Sequence, residues 1–177
     1  MLASAEFDED LVQVDLACNR LSTRASMALI DRIPPSSLRR LDISFNRVGR
    51  PGATALRGLL QVHCQLCCLA SHALHAFLTH GAQRAGVLCD LFLEQCQLDD
   101  NSMAMLMGGV EECPSLRCLV LSGNPFHDKG AHAVAAAVSS PNCRLNKLDL
   151  SWCNLMGAGA VAVVDAVRTN TTIQVWK

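Results

Sequence analysis

The residues whose types and spacing could do chemistry gather between positions 63 and 80. Cys64 and Cys67 form a C-x-x-C pair, Cys68 follows, and His63, His72, His75 and His80 stand nearby. Two thiolates and two imidazoles are the donor set of a tetrahedral zinc site. A helix starting near Ala70 would put His72 and His75 three residues apart on one face, so Cys64, Cys67, His72 and His75 are the candidate ligands. Against a metal, cysteine is common throughout this chain, ten in 177 residues, and histidines on a helix are ordinarily surface polar groups. The expectation is no metal and no cofactor.

Catalytic patterns are missing elsewhere. There is no G-x-x-x-x-G-K-[ST] phosphate loop and no G-x-S-x-G nucleophile elbow. Ser, His and Asp show no local arrangement suggesting a triad. The chain is read as a non-enzyme with no small-molecule substrate. Half of its residues are hydrophobic and 18% are charged, which excludes disorder. A formal net charge of −1 implies no nucleic-acid partner. No run of about 18 apolar residues is present, so no membrane partner is expected. The acidic start MLASAEFDED lacks the order of a signal peptide. The irregularly spaced cysteines read as buried free thiols rather than a disulfide framework. A reducing, cytoplasmic compartment follows.

The elements that position everything else come from a repeat. Leucine, two residues, leucine, one residue, leucine, two residues, Asn or Cys, one residue and an apolar residue recur five times. The copies are Leu11-Val14-Leu16-Asn19-Leu21, Leu38-Leu41-Ile43-Asn46-Val48, Leu88-Leu91-Leu93-Cys96-Leu98, Leu116-Leu119-Leu121-Asn124-Phe126 and Leu145-Leu148-Leu150-Cys153-Leu155. A fragment of a sixth spans Ile173 to Lys177. Successive starts lie 27, 50, 28, 29 and 28 residues apart. Fourteen residues past each first leucine stand Ala25, Gly52, Ser102, Gly130 and Gly159, and apolar residues at helical spacing follow, as at Val134/Val138 and Val163/Val167. Each unit is therefore strand, turn, helix. Gly157 and Gly159 belong to this turn and not to a dinucleotide fingerprint.

A 28–29-residue period with a full helix resembles the ribonuclease-inhibitor-like subfamily of leucine-rich repeats, over roughly Leu11 to Lys177. The resemblance implies an α/β solenoid of about five to six repeats, with parallel strands on the concave face and α-helices on the convex face. Residues 1–10 read as a short N-terminal cap and 11–177 as the repeat domain. Residues 61–87 break the pattern. They are a degenerate repeat starting near Leu66, the favoured reading, or a helical insertion from the convex side.

Such a unit cannot bury its apolar face alone, so stacked neighbours must share one core. With the fourth and sixth positions inward, the third, fifth and seventh line the concave face. The fifth-position row is Asp15, Asp42, Phe92, Val120 and Asp149. Phe92 and Val120 place apolar groups mid-row, and Phe45 and Trp152 hold eighth positions at the lip. This predicts a protein partner docked on Phe92 and Val120, its basic groups facing Asp42, Glu94 and Asp149. An L-D-L-S run is a frequent form of such repeats, so Asp15, Asp42 and Asp149 are read equally as consensus that solubilises the face. Ile173 and Trp176 occupy core positions of an unfinished repeat, implying a second contact at an uncapped C-terminal end. Fold-level analogy points to an interaction scaffold in a cytoplasmic assembly, cytoskeletal or ciliary. The alternative is an enzyme regulator, such as a small-GTPase activator or nuclease inhibitor.

Overall fold

A computed structural model describes residues 11–34, 38–72 and 88–177, with only the backbone of 63–72. Six short strands and five helices alternate along the described residues: β1 Gln13–Asp15, α1 Thr23–Ile30, β2 Arg40–Asp42, α2 Gly49–His72, β3 Asp90–Phe92, α3 Asp100–Glu112, β4 Cys118–Val120, α4 Asp128–Ser139, β5 Lys147–Asp149, α5 Gly157–Thr169 and β6 Val175–Trp176. The strands form one parallel sheet in sequence order. Equivalent repeat positions sit side by side: Leu41 pairs with Leu91, Leu91 with Leu119, and Leu119 with Leu148. The expected solenoid is what the chain forms.

The core lies between sheet and helices. Leu38, Leu41, Leu88, Leu91, Leu93, Leu98, Leu119, Leu121 and Phe126 are wholly buried, each contributing about 1.5–3 kcal/mol of apolar burial. Towards the ends the rows open up, with Leu16 and Leu155 half-buried against the core.

From the second copy on, the ninth position binds each repeat to the one before it. Asn124 donates through Nδ2 to the carbonyls of Leu93 (2.7 Å) and Leu121 (2.6 Å). Its Oδ1 accepts from the backbone N–H of Cys96 (2.9 Å) and Leu98 (3.1 Å). Asn46 does the same one repeat earlier, donating to Leu16 O (2.8 Å) and accepting from Leu21 N (2.8 Å). These backbone groups lie where the strand ends, and unpaired they would each cost about 1–3 kcal/mol. Where Cys replaces Asn, one sulfur stands in on the donor side: Cys96 Sγ lies 3.4 Å from Ile43 O, and Cys153 Sγ 3.2 Å from Leu121 O.

Helix starts are joined across repeats as well. Neither α4 nor α5 has a side-chain cap from its own N-cap residue. Asp100 Oδ1, from the first turn of α3, instead accepts from the N–H of His127 and Gly130, both at 2.8 Å. Asp128 Oδ1 accepts from Gly159 N at 3.3 Å. This close approach explains the small residue fourteen places into each unit: a Cβ on Gly130 would lie 2.7 Å from Phe126 Cβ and 3.0 Å from Asp100 Oδ1.

Between repeats two and three, β2 hydrogen-bonds directly to β3, with Phe45 N donating to Glu94 O at 2.7 Å. Leu66, expected to open a degenerate repeat, falls inside α2, which runs 24 residues. Residues 73–87 lie outside the described residues.

Asn124→Ala is expected to lower stability by about 3 kcal/mol, because four backbone groups lose their partner. Asn19→Ala, at the same repeat position but exposed, is expected to cost under about 1 kcal/mol. Urea denaturation of both variants checks this, and equal losses would contradict it.

Candidate protein-binding surface

The sheet face turned away from the helices carries the third, fifth and seventh repeat positions. At the fifth, the aspartates have a local duty. Asp15, Asp42 and Asp149 each accept through Oδ1 from the backbone N–H two residues on, at 3.0 Å. That seventh-position amide has no sheet partner, so a short carboxylate satisfies it. Phe92 breaks this arrangement, and the orphaned Glu94 amide is taken by the hydroxyl of Ser44, just past β2 in the preceding repeat, at 3.1 Å. A phenylalanine is accommodated here because the neighbouring repeat supplies the acceptor.

Phe92 is half-buried. The Arg40 guanidinium lies 4.1 Å from its ring centroid, a cation–π geometry of about 0.5–1 kcal/mol at exposed sites. Arg40, Asp90, Cys118 and Lys147 lie in register across four strands, which sets charges of alternating sign beside the ring. Glu94 is half-buried at the seventh position. Val120 does not complete an exposed apolar pair: it is only 7% exposed, and its role is packing. Burial pushes the Cys118 thiol up, helped by Asp90 and opposed chiefly by Lys147.

The lip of the sheet holds the other expected aromatics. Trp152 is 91% exposed and Phe45 42%. Both have left-handed backbone, φ +60° and +58°, as do Cys18, Gln95 and Gly123 at the same eighth position. The turns that end β1 to β5 all adopt this conformation. Only Gly123 adopts it freely, and an L side chain there costs about 1–2 kcal/mol. Large aromatics kept exposed in a strained position have no packing reason to be there.

Sequence reasoning missed a second feature of this lip. A pocket of about 380 Å³ opens among Arg20, Phe45, Arg47, Gln95 and Gln97, with Asn46 at its floor. Tabulating the tenth repeat position would have found it, since Arg20, Arg47 and Gln97 fall there. A larger hollow of about 510 Å³ lies on the helical face, lined by Met27, Ile30, Leu59 and Val62 among others. It forms where the eight-residue α1 packs against the much longer α2.

Of the zinc candidates, Cys64, Cys67 and His72 lie on α2 where only the backbone is described, and His75 lies outside the described residues. The helix carrying Cys64, Cys67 and His72 begins at Gly49, not near Ala70. Among the described residues, no three His, Cys, Asp or Glu side chains gather as a metal ion would require. At the repeat end, Ile173 packs against the core while Trp176 is 46% exposed. No described helix is long and apolar enough to cross a membrane.

Comparison with known proteins agrees with this geometry. The profile of the leucine-rich repeat matches residues 35–56, 112–135 and 142–164. Ribonuclease inhibitor of Sus scrofa is 30% identical over 84 residues, covering 48% of this chain and 18% of that protein. Its Mus musculus counterpart is 32% identical over 78 residues, 44% of this chain and 17% of that protein. Protein NLRC5 of Homo sapiens is 26% identical over 143 residues, 80% of this chain and 8% of that protein. The chain thus spans less than a fifth of the length of these relatives.

The ninth-position thiols give a test of the packing beneath this surface. Burial pushes Cys96 up to about 12 and Cys153 up to about 11, so both stay protonated well past neutrality, and the thiolate is the reactive form. With iodoacetamide at pH 8, peptide-resolved mass spectrometry should show Cys18, which is exposed, alkylated before Cys96 and Cys153. Cys96 and Cys153 should react only on unfolding. Equal native rates would contradict the packing.

Proposed function

We propose that this chain, which belongs to the leucine-rich-repeat proteins of the ribonuclease-inhibitor-like type, is a non-catalytic protein-binding module that works in the cytoplasm. Leucine-rich-repeat proteins generally act through protein–protein interaction. The observation that carries the reading is Phe92: a half-buried aromatic in the middle of an open sheet, with its own Arg40 over the ring and charged groups of both signs around it. That combination of a central aromatic and a polar surround is what interface hot spots are made of.

Phe92 is the anchor, with Phe45 and Trp152 as contacts along the lip. Asp42, Glu94 and Asp149 offer carboxylate oxygens to basic groups of the partner. Asp42 and Asp149 retain one oxygen for this, the other being held by the backbone. Ile173 and Trp176 form a second contact at the edge of the sheet. The module's larger setting is a multi-protein assembly, cytoskeletal or ciliary, in which it serves as a structural subunit. A second reading, regulator of an enzyme, is supported by the two relatives named as ribonuclease inhibitors.

Tagged chain purified from its own cells, with partners quantified by mass spectrometry, separates the two readings. A fixed stoichiometric set of proteins supports a subunit, and a substoichiometric enzyme supports a regulator. Phe92→Asp is expected to weaken capture of whichever partner is found at least tenfold, about 1.4 kcal/mol, while thermal stability is little changed. Val120→Asp is not an equivalent probe, because it would put a carboxylate into the packed layer. Unchanged capture by Phe92→Asp would sink the concave-face reading.

A further inference from the structure

We propose that the lip pocket around Phe45 is a binding site for an acidic peptide segment, adjoining the concave strip centred on Phe92 and sharing only Phe45 with that interface. Four of the residues that line it, Arg20, Phe45, Gln95 and Gln97, have left-handed backbone, with φ between +48° and +58°. Their positions are fixed by strand-ending turns of three adjacent repeats, so the pocket is held by the solenoid and not by a loop. Its floor is rigid as well. Asn46 is buried, and its amide is committed to the backbone of Leu16, Leu21, Ile43 and Ser44.

The chemistry of the walls is one-sided. Arg20 and Arg47 are exposed, and neither guanidinium has a hydrogen bond or ion pair among the described residues. Gln95 and Gln97 add amide donors, and Phe45 supplies an aromatic wall. No carboxylate lines the pocket. The tenth repeat position is cationic only at Arg20 and Arg47. Further along the same row stand Gln97, Pro125 and Asn154, so the basic character is local to this pocket. Paired guanidinium groups with amide donors suit carboxylates held by forked hydrogen bonds.

The same neighbourhood argues against an extended polyanion. Asp42 and Glu94 lie on the concave rows of the repeats that build the pocket, Glu94 immediately before Gln95. A nucleic-acid strand running out of the pocket would meet those acids, whereas one or two glutamate or aspartate side chains on a peptide can enter and leave the rest of the chain clear. A partner that spans both sites would present basic groups to the concave strip and an acidic segment to the lip.

The inference rests on the protein-binding reading, but its test is separate. The full chain, isotopically labelled, is titrated with the blocked peptide Ac-Glu-Glu-Glu-Glu-NH2 while backbone and side-chain amide NMR signals are followed. Saturable shifts are expected at Phe45, Gln95 and Gln97, with Ac-Lys-Lys-Lys-Lys-NH2 causing none at Phe45 and Gln97. Arg20→Gln with Arg47→Gln should weaken the response at least tenfold without altering the fold by circular dichroism. Phe92→Asp should leave it within about threefold. No saturable shift, a response indifferent to the two arginines, or equal or tighter binding of inorganic phosphate or of hexathymidylate would each overturn the assignment. Loss of partner capture by Phe92→Asp together with no peptide binding would remove this site alone and leave the concave-face reading standing.

Discussion

Where each of the first four described strands ends, the turn leaves backbone groups that the sheet ladder does not pair. From the second repeat on, a ninth-position side chain takes them up by reaching into the preceding repeat. Asn46 and Asn124 supply donor and acceptor from one amide. Cys96 and Cys153 supply only the donor side. Because the satisfied groups belong to two repeats at once, the spacing between neighbours is fixed along with the register. The leucine rows then fall into line, and a continuous core becomes possible in units too small to fold alone. The carboxylate relay from Asp100 to α4 and from Asp128 to α5 does the same for the helices.

That rigidity is what lets a flat surface carry function. Residues on the concave rows and along the lip are presented at fixed spacings by turns whose left-handed conformation is set by the repeat. A binding surface so built loses little conformational freedom on association. Departures from the repeat then carry meaning. Phe92 stands where three other repeats use aspartate, and Trp152 stands where a glycine would be free of strain.

Much of this was legible in the sequence because its signals are periodic. The five copies, the Asn or Cys at position nine and the small residue fourteen places on are fixed by packing that every unit repeats, so the pattern states the fold. What was not legible depends on how neighbouring rows meet. Val120 looks like Phe92's equal in a row of side chains, yet it is buried in the face. Asp42 and Asp149 look free to select a partner, yet each holds a backbone amide. The lip pocket joins residues 20, 47, 95 and 97, which only the stacking of three repeats brings together. Across the 50-residue gap β2 pairs directly with β3 and α2 runs on to His72, a prolonged helix that no repeat-wide periodicity announces; residues 73–87 lie outside the described residues.

The central claim is that the concave face at Phe92 is where a protein partner sits. Site-specific photocrosslinking in the protein's own cells tests it most directly, with p-benzoylphenylalanine placed in turn at position 92 and at the exposed convex position Thr54. The account predicts a discrete crosslinked protein from position 92 and none from position 54. Crosslinks from position 54 alone would contradict it and move the interface to the helical face.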